Sequence, residues 1–295
     1  MQNGTLKRSA TGATLIADSG STKTHWGILT ADGNLKEFTT PGINPYYQSY
    51  EDICYLLEQQ LFCHFKATEV SHIYFYGAGC AAADKKQILY TAFKLYCRNA
   101  SIEIESDLLG AARAMFQDSP GIIGILGTGS NSGVYNGYQI IENVSPLGFI
   151  LGDEGSGAVI AKQFVADCLK NQAPMLLSQS FFERFQLTRE SILDHVYRQP
   201  FPNRYLAQFM PFLSEYKHED YVSDLIREAF IAYAVRNLKQ YNYESYPIRI
   251  VGSVAYHFAA ILRDALIDTG LCLDAVEADP IAKLIMYHHK QHIDE

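Results

Sequence analysis

One pattern occurs twice in this chain and limits its fold more than any other feature. An apolar run, Thr14-Leu15-Ile16-Ala17, stops at the polar loop Asp18-Ser19-Gly20-Ser21-Thr22-Lys23-Thr24, and a strand pattern resumes from His25 to Leu29. An Asp32-Gly33 turn then leads into Leu35 to Thr39. The same order returns later: Gly121 to Leu126 is apolar, Gly127-Thr128-Gly129-Ser130-Asn131-Ser132-Gly133 is the loop, Val134-Tyr135 the strand, and Asn136-Gly137 the turn before Tyr138 to Ile141. A loop-bearing hairpin used twice predicts two lobes built on one plan.

Between the copies the apolar spacing alternates in period. Tyr47 to Phe65 reads as a helix, Ile73 to Tyr76 as a strand, Ala83 to Cys97 as a helix, Ile102 to Glu105 as a strand and Leu108 to Phe116 as a helix. After the second copy come a helix over Glu154 to Leu169, an aromatic-rich helical stretch to Gln240, and a strand over Ile248 to Val251. A helix over Ala255 to Ile267, a short strand at Leu271 to Leu273 and a helix from Pro280 to His289 complete the pattern. Such alternation predicts an α/β protein whose largely parallel sheets are covered on both faces. The turn-rich Gln117-Asp118-Ser119-Pro120-Gly121 divides the chain into an N-terminal lobe over 14–118 and a C-terminal lobe over 119–279, the latter with a helical insertion over about 171–240. The closing helix, 280–295, can pack on either lobe, the N-terminal one included, and residues 1–13 read as a disordered or added extension.

Composition narrows the function classes. A chain of 295 residues can bury roughly 75% of its extended surface, so it needs neither disulfides nor a structural metal to be stable. With 48% hydrophobic and 19% charged residues it is not a disordered chain. The 24 Lys and Arg against 32 Asp and Glu give a net charge of −8, which disfavours nucleic acid and anionic membranes as partners. Six cysteines show neither CxxC nor zinc-finger spacing, as expected of reduced thiols in the cytoplasm. No apolar stretch has the length of a secretion signal or a membrane span.

A glycine loop between two strands exposes backbone N–H groups and suits phosphate oxygens. Two such loops in duplicated lobes suggest a clamp on a polyphosphate. Neither is a Walker A loop, and Ser132 stands where a dinucleotide fingerprint needs its third glycine. Asp18, where the first strand meets its loop, can hold Mg²⁺ through water or can cap a turn. Lys23 can reach phosphate or lie solvated on its strand.

Taken together, Asp18 to Thr24, Gly127-Thr128-Gly129-Ser130-Asn131, Gly148-Phe149-Ile150-Leu151-Gly152-Asp153-Glu154-Gly155-Ser156-Gly157 and Val251-Gly252-Ser253-Val254-Ala255 resemble the sugar-kinase and actin ATPase superfamily. Within it, the chain is similar to the N-acetylglucosamine kinase and BadF/BadG/BcrA/BcrD ATPase group. The motifs occur in family order over residues 14 to 289. The resemblance implies two ribonuclease-H-like, actin-like ATPase lobes with an ATP and sugar cleft between them. It implies ATP-dependent phosphorylation of the primary hydroxyl of an amino sugar, N-acetylglucosamine to N-acetylglucosamine 6-phosphate, with Mg²⁺. Gly20, Ser21, Thr22, Lys23, Gly127, Thr128, Gly129 and Ser130 would then bind the ATP phosphates, Gly252 and Ser253 the adenosine, and Asp18 the metal. Asn44, Gly77, Asn131, Gly148 and Asp153 would bind the sugar. Asp107 would be the catalytic base, kept ionised by the start of its helix, although an Asp in that place can also be a plain N-cap.

Two departures from the group bear on specificity. Pro146-Leu147-Gly148 replaces the usual Gly-Trp-Gly, which alters the sugar-side wall, and Ser253 replaces a common glycine. Alternative readings keep the fold: an ATPase activator of an acyl-CoA dehydratase or reductase, which needs cysteine thiolates at a subunit interface, or a non-catalytic sugar or nucleotide sensor. Trp26 reads as core, the insertion's aromatics as packing between helices or a homodimer interface, and His288, His289 and His292 as exposed tail residues.

Overall fold

The computed structural model describes residues 12–294, with side chains to 291. The extension expected at 1–13 falls outside the described residues except for Gly12 and Ala13, and Ala13 already belongs to the first strand. The chain forms two compact units. One contains the chain to Ser119, Gly137–Gln139 and everything from Pro280 onward; the other contains Pro120–Asn136 and Ile140–Asp279.

The first unit contains β1 (Ala13–Ser19), β2 (Lys23–Leu29), β3 (Leu35–Pro41), α1 (Tyr50–Leu56), β4 (Val70–Gly77), α2 (Ala83–Tyr96), β5 (Ser101–Ser106) and α3 (Asp107–Phe116). The sheet order is β3-β2-β1-β4-β5; the first three strands are an antiparallel meander, and β1, β4 and β5 run parallel. Strand β1 is covered on both faces, because its side chains alternate between two clusters. Leu15 and Ala17 join Trp26, Phe75 and Phe93, whereas Ile16 joins Tyr76, Ala114, Leu284 and Ile285. Trp26 is fully buried and donates from Nε1 to Thr40 Oγ1 (2.9 Å), the core role expected of it. Ser49 and Asp52 cap α1 reciprocally; the helix ends at Leu56 and continues as one π turn over Leu57–Leu61, short of the Phe65 expected from spacing.

The C-terminal helix, Ile281–Asp294, belongs to this unit and corrects the reading of His288; the side chain of His292 lies outside the described residues. His288 is 1% exposed: its Nε2 lies 2.8 Å from Tyr76 Oη and its ring stacks on Tyr74 at 3.7 Å. Its helix face points into the unit beside Leu284 and Ile285, a placement that an apparently polar His-His pair conceals.

The second unit repeats the plan with β6 (Gly121–Leu126), β7 (Ser130–Tyr135), β8 (Ile140–Asn143), β9 (Ile248–Val251) and β10 (Leu273–Glu277) in the order β10-β9-β6-β7-β8. Again three strands form an antiparallel meander and two join it in parallel, so the duplication read from the loop hairpins extends to the whole sheet. Between β8 and β9 lie α4 (Gly148–Leu151), α5 (Gly157–Leu169) and the insertion, α6 (Met175–Phe185), α7 (Arg189–Tyr197), α8 (Pro202–Ala207), α9 (Met210–Glu215) and α10 (Asp220–Arg236). Helices α11 (Ser253–His257) and α12 (Ala259–Asp268), divided at Phe258, replace the single helix expected from Ala255. Phe181 packs against Phe164, Phe209 and Phe212 with ring centroids 5.0, 4.9 and 5.6 Å apart, so much of the insertion's aromatic content is core; Tyr197, 79% exposed, is not. No helix among the described residues is long and apolar enough to cross a membrane.

Candidate active site

In the first unit the residues singled out from sequence surround the end of β1. Half-buried Asp18 pairs in register with His25 on β2 and Tyr76 on β4. Ser19 and Thr24, both fully buried, join their hydroxyls at the neck of the loop (2.7 Å). Ser19 Oγ also faces Ile43 O (3.0 Å) and accepts from Ile43 N (3.1 Å), and Thr24 Oγ1 faces Pro41 O (3.3 Å), so the pair ties the loop to the end of β3 and the chain after it. Gly42 N donates to Thr22 O (3.0 Å), and a Cβ at Gly42 would lie 2.4 Å from Gly20 O and 2.7 Å from Ser21 O. The 41–44 segment is thus pressed backbone to backbone against the loop that holds Gly20, Ser21 and Thr22. Lys23 is exposed at the start of β2. Asn44, 5% exposed, accepts on Oδ1 from Tyr46 N (3.0 Å), and Gly77 ends β4 just before Ala78, whose N donates to Ser19 O (2.8 Å).

Asp107 is the first residue of α3, not its cap. Ser106 takes that task by accepting from Leu109 N (3.2 Å), so the plain capping explanation of Asp107 does not hold. Asp107 Oδ1 accepts from Leu108 N (2.9 Å). Burial pushes its pKa up to about 6, against the backbone N–H bonds that pull it down. The helix start therefore opposes desolvation without overcoming it, a weaker hold on the charge than expected from the sequence.

In the second unit the loop is shorter than the motif suggests. Gly127 N donates to Gly129 O (2.9 Å), and Ser130, buried, already opens β7. The first amides of α5 donate to this loop, Gly157 N to Gly127 O (2.8 Å) and Ala158 N to Thr128 O (3.1 Å), which turns its carbonyls toward the helix. Gly252 adopts φ +118°, and a Cβ there would lie 2.3 Å from Leu126 O; Ser253, exposed, begins α11 beside it. Asn131 accepts on Oδ1 from Ser132 N (2.9 Å), and its carbonyl accepts from Tyr233 Oη (2.9 Å).

Asp153 is 9% exposed, with its carboxyl against the Cα of Gly129: a Cβ there would lie 3.1 Å from Oδ2. Burial raises its pKa to about 6; a bond from the Ser130 backbone and the charge of Lys162 oppose the rise, and Glu154 adds to it. The helix expected to start at Glu154 starts later, and Glu154 does not stay beside Asp153. Asp153 and Gly155 take φ of +53° and +73°, which delays α5 to Gly157, and Glu154 turns away to Arg236 Nε (2.6 Å) and Asn237 Nδ2 (3.3 Å). Gly148 opens α4, and Lys162 Nζ donates to Phe149 O (2.8 Å), tying that segment to α5.

Sequence reading missed the residues that hold these groups: Ser19 with Thr24, Lys162, Tyr233 and Asn143. Ser19 and Thr24 lie within the loop motif itself but carry no signal of their buried bonds, while Lys162, Tyr233 and Asn143 come from other stretches than the groups they support, and no local spacing announces them.

Two sheets of one topology, each with a glycine loop after its first strand, define the actin-like ATPase fold of sugar kinases. No protein-family model and no protein of curated function matches the sequence. Among solved structures, a candidate N-acetylglucosamine kinase from Porphyromonas gingivalis is 43% identical, with 95% of this chain and 99% of that one covered and a TM-score of 0.90. The chain belongs to that N-acetylglucosamine kinase family. Two more distant structures share its fold. A candidate N-acetylglucosamine kinase from Chromobacterium violaceum is 16% identical over 94% of this chain and 98% of that one, with a TM-score of 0.71. A ROK family glucokinase from Streptomyces griseus, in complex with glucose and AMPPNP, is 13% identical over 96% and 100%, with a TM-score of 0.55.

Proposed function

We propose that this protein is an ATP-dependent kinase that phosphorylates the primary hydroxyl of an amino sugar, converting N-acetylglucosamine to N-acetylglucosamine 6-phosphate. The observation that carries the mechanism is Asp107: a half-buried carboxyl relieved of capping by Ser106, with Oδ1 bonded to Leu108 N and a pKa of about 6. Such a group is ionised at neutral pH yet basic enough to accept a proton. In this reading Asp107 takes the proton of the 6-hydroxyl as that oxygen bonds to the γ-phosphorus. The bond from the γ-phosphorus to the bridging oxygen breaks, and ADP leaves with its electron pair.

Gly20, Ser21, Thr22, Lys23 and Gly127 to Ser130 serve the phosphates, and Gly252 with Ser253 the adenosine. Support for a phosphate role comes from the open space beside Gly127, where a Cβ would have no atom within 4 Å, although the Gly127 N–H itself is already bonded to Gly129 O. Asp18 suits Mg²⁺ carried by the nucleotide: magnesium uses one or two carboxylates with phosphate oxygens and water, and no cluster of three ligating side chains exists among the described residues. When bound, the ion would neutralise charge on the β- and γ-phosphates. Asn44, Gly77, Asn131, Gly148 and Asp153 contact the sugar. The thiols of Cys80, Cys97 and Cys168, pushed by burial up to about 12, 11 and 11, are the opposite of the thiolates that an iron–sulfur activator requires.

Asp107→Asn tests the assignment. A coupled assay with ATP and N-acetylglucosamine should show kcat reduced roughly 10²- to 10⁴-fold, with ATP affinity by calorimetry retained. Near-full turnover in this variant would overturn it.

A further inference from the structure

Asn131 carries a donor and an acceptor on one amide, and whichever is turned away from its strand decides what it can bind. Its Oδ1 is used twice: Ser132 N donates to it at 2.9 Å and Asn143 Nδ2 at 2.9 Å. A backbone N–H can only donate, so the oxygen must face it and the amide cannot be reversed without losing both bonds. The orientation of Asn143 is fixed in the same way, because its Nδ2 faces three oxygens: Asn131 Oδ1, Ser132 O at 2.7 Å and Val144 O at 3.4 Å. Asn143 is the last residue of β8 and is exposed, so core packing does not require an amide there. Neighbouring backbone is held independently. Tyr241 Oη accepts from Val144 N (2.8 Å) and bonds Ser132 Oγ (2.9 Å), while Tyr233 holds the Asn131 carbonyl.

The geometry points to Asn143 as a positioning residue that keeps Asn131 Oδ1 inward and Nδ2 outward, making Asn131 a donor-only contact to an oxygen lone pair of the substrate. This inference rests on the reading of Asn131 as a sugar contact. Its chemical consequence is selectivity for a hydroxyl or acyl oxygen that accepts at this point, with no reward for a group that only donates.

Steady-state kinetics with N-acetylglucosamine and ATP varied separately tests it, using Asn143→Ala, Asn143→Asp, Asn131→Ala and the double alanine variant. Asn143→Ala should raise KM for the sugar roughly five- to tenfold, with kcat and KM for ATP within about twofold of the parent. Asn143→Asp should raise it further, because a carboxylate facing Asn131 Oδ1 drives that amide to turn. In the Asn131→Ala background, Asn143→Ala should add nothing, a coupling that a merely structural role would not produce. If Asn131→Ala raises KM but Asn143→Ala does not, or if their effects simply add, the positioning role is overturned while the sugar contact stands. If Asn131→Ala itself leaves KM unchanged, the reading of Asn131 falls and the inference with it. Melting temperatures measured on every variant identify any that lose the fold, and Asn143→Asp, close to the parent in shape, keeps the test decisive if the alanine variant does.

Discussion

Asp107 and Asp153 each hold a proton more tightly than an ordinary carboxyl, with pKa raised from 3.8 to about 6, chiefly by burial. The sign of the consequence differs between activity and stability. A base must be ionised, so kcat/KM should fall as pH drops through about 6, and a pH–rate profile flat down to pH 5 would contradict the role of Asp107. For stability, a folded pKa above the unfolded one means that the folded state favours the protonated form. That contribution is fully present below about 3.8 and is lost as pH rises through about 6. At pH 7.5 the ionised carboxylate is therefore a cost, on the order of 1–3 kcal/mol at 1.36 kcal/mol per unit of pKa. Asp107→Asn should melt higher than the parent at pH 7.5, since the amide oxygen can still accept from Leu108 N, and the difference should shrink toward pH 4. Equal melting temperatures at pH 7.5 would show that burial does not strain this carboxylate.

The loop after β1 is shaped by the segment that follows β3 as well as by its own sequence. Gly42 touches Gly20 and Ser21 through backbone atoms that cannot rotate aside, so Gly42→Ala must displace the loop or the strand end. The variant should lose roughly 1–3 kcal/mol of stability and bind ATP several-fold more weakly by calorimetry; unchanged affinity would separate this loop from the phosphates. Nothing in Pro41-Gly42-Ile43 reveals the contact, and this marks the limit of what was legible in the sequence. Strands β6 and β9 have the ends that their apolar runs predict, because glycine or proline stands just outside them. The start of α5 was misplaced, since helical spacing extends back to Glu154 while positive φ at Asp153 and Gly155 forbids the turn. Spacing reports which face a residue prefers. It does not report where a side chain ends, and so neither the Glu154 pairing with Arg236 nor the burial of His288 is visible in it.

At the scale of the whole chain, the two units differ in how they are closed. The second unit is almost one continuous segment, whereas the first leaves at Ser119 and is completed only when the chain returns at Pro280. What returns is a helix that buries Ile281, Leu284, Ile285 and Tyr287 and places His288 against Tyr76. Tyr76 Oη also accepts from Arg113 Nη1 (2.6 Å), and Arg113 pairs with Glu103, so the last helix is joined to β4, α3 and β5 through one polar chain. Four buried side chains at roughly 1.5–3 kcal/mol each approach the 5–15 kcal/mol by which a domain is stable at all. Loss of the helix would also uncover Tyr76 and the sheet face that carries Ile16. A chain ending at Asp279 should therefore lose amide protection across β1, β4 and β5 in hydrogen exchange while β6 and β9 stay protected, because the core of the second unit, around Ile122, Phe164, Phe230 and Ile250, uses no residue beyond 279. His288→Ala in the full chain should lower the melting temperature without selective loss of protection in either sheet. Protection of β1 that survives the truncation would mean that the first unit folds without its final helix, and the polar chain through Tyr76 would then be an ornament on a sheet already stable by its Trp26 face.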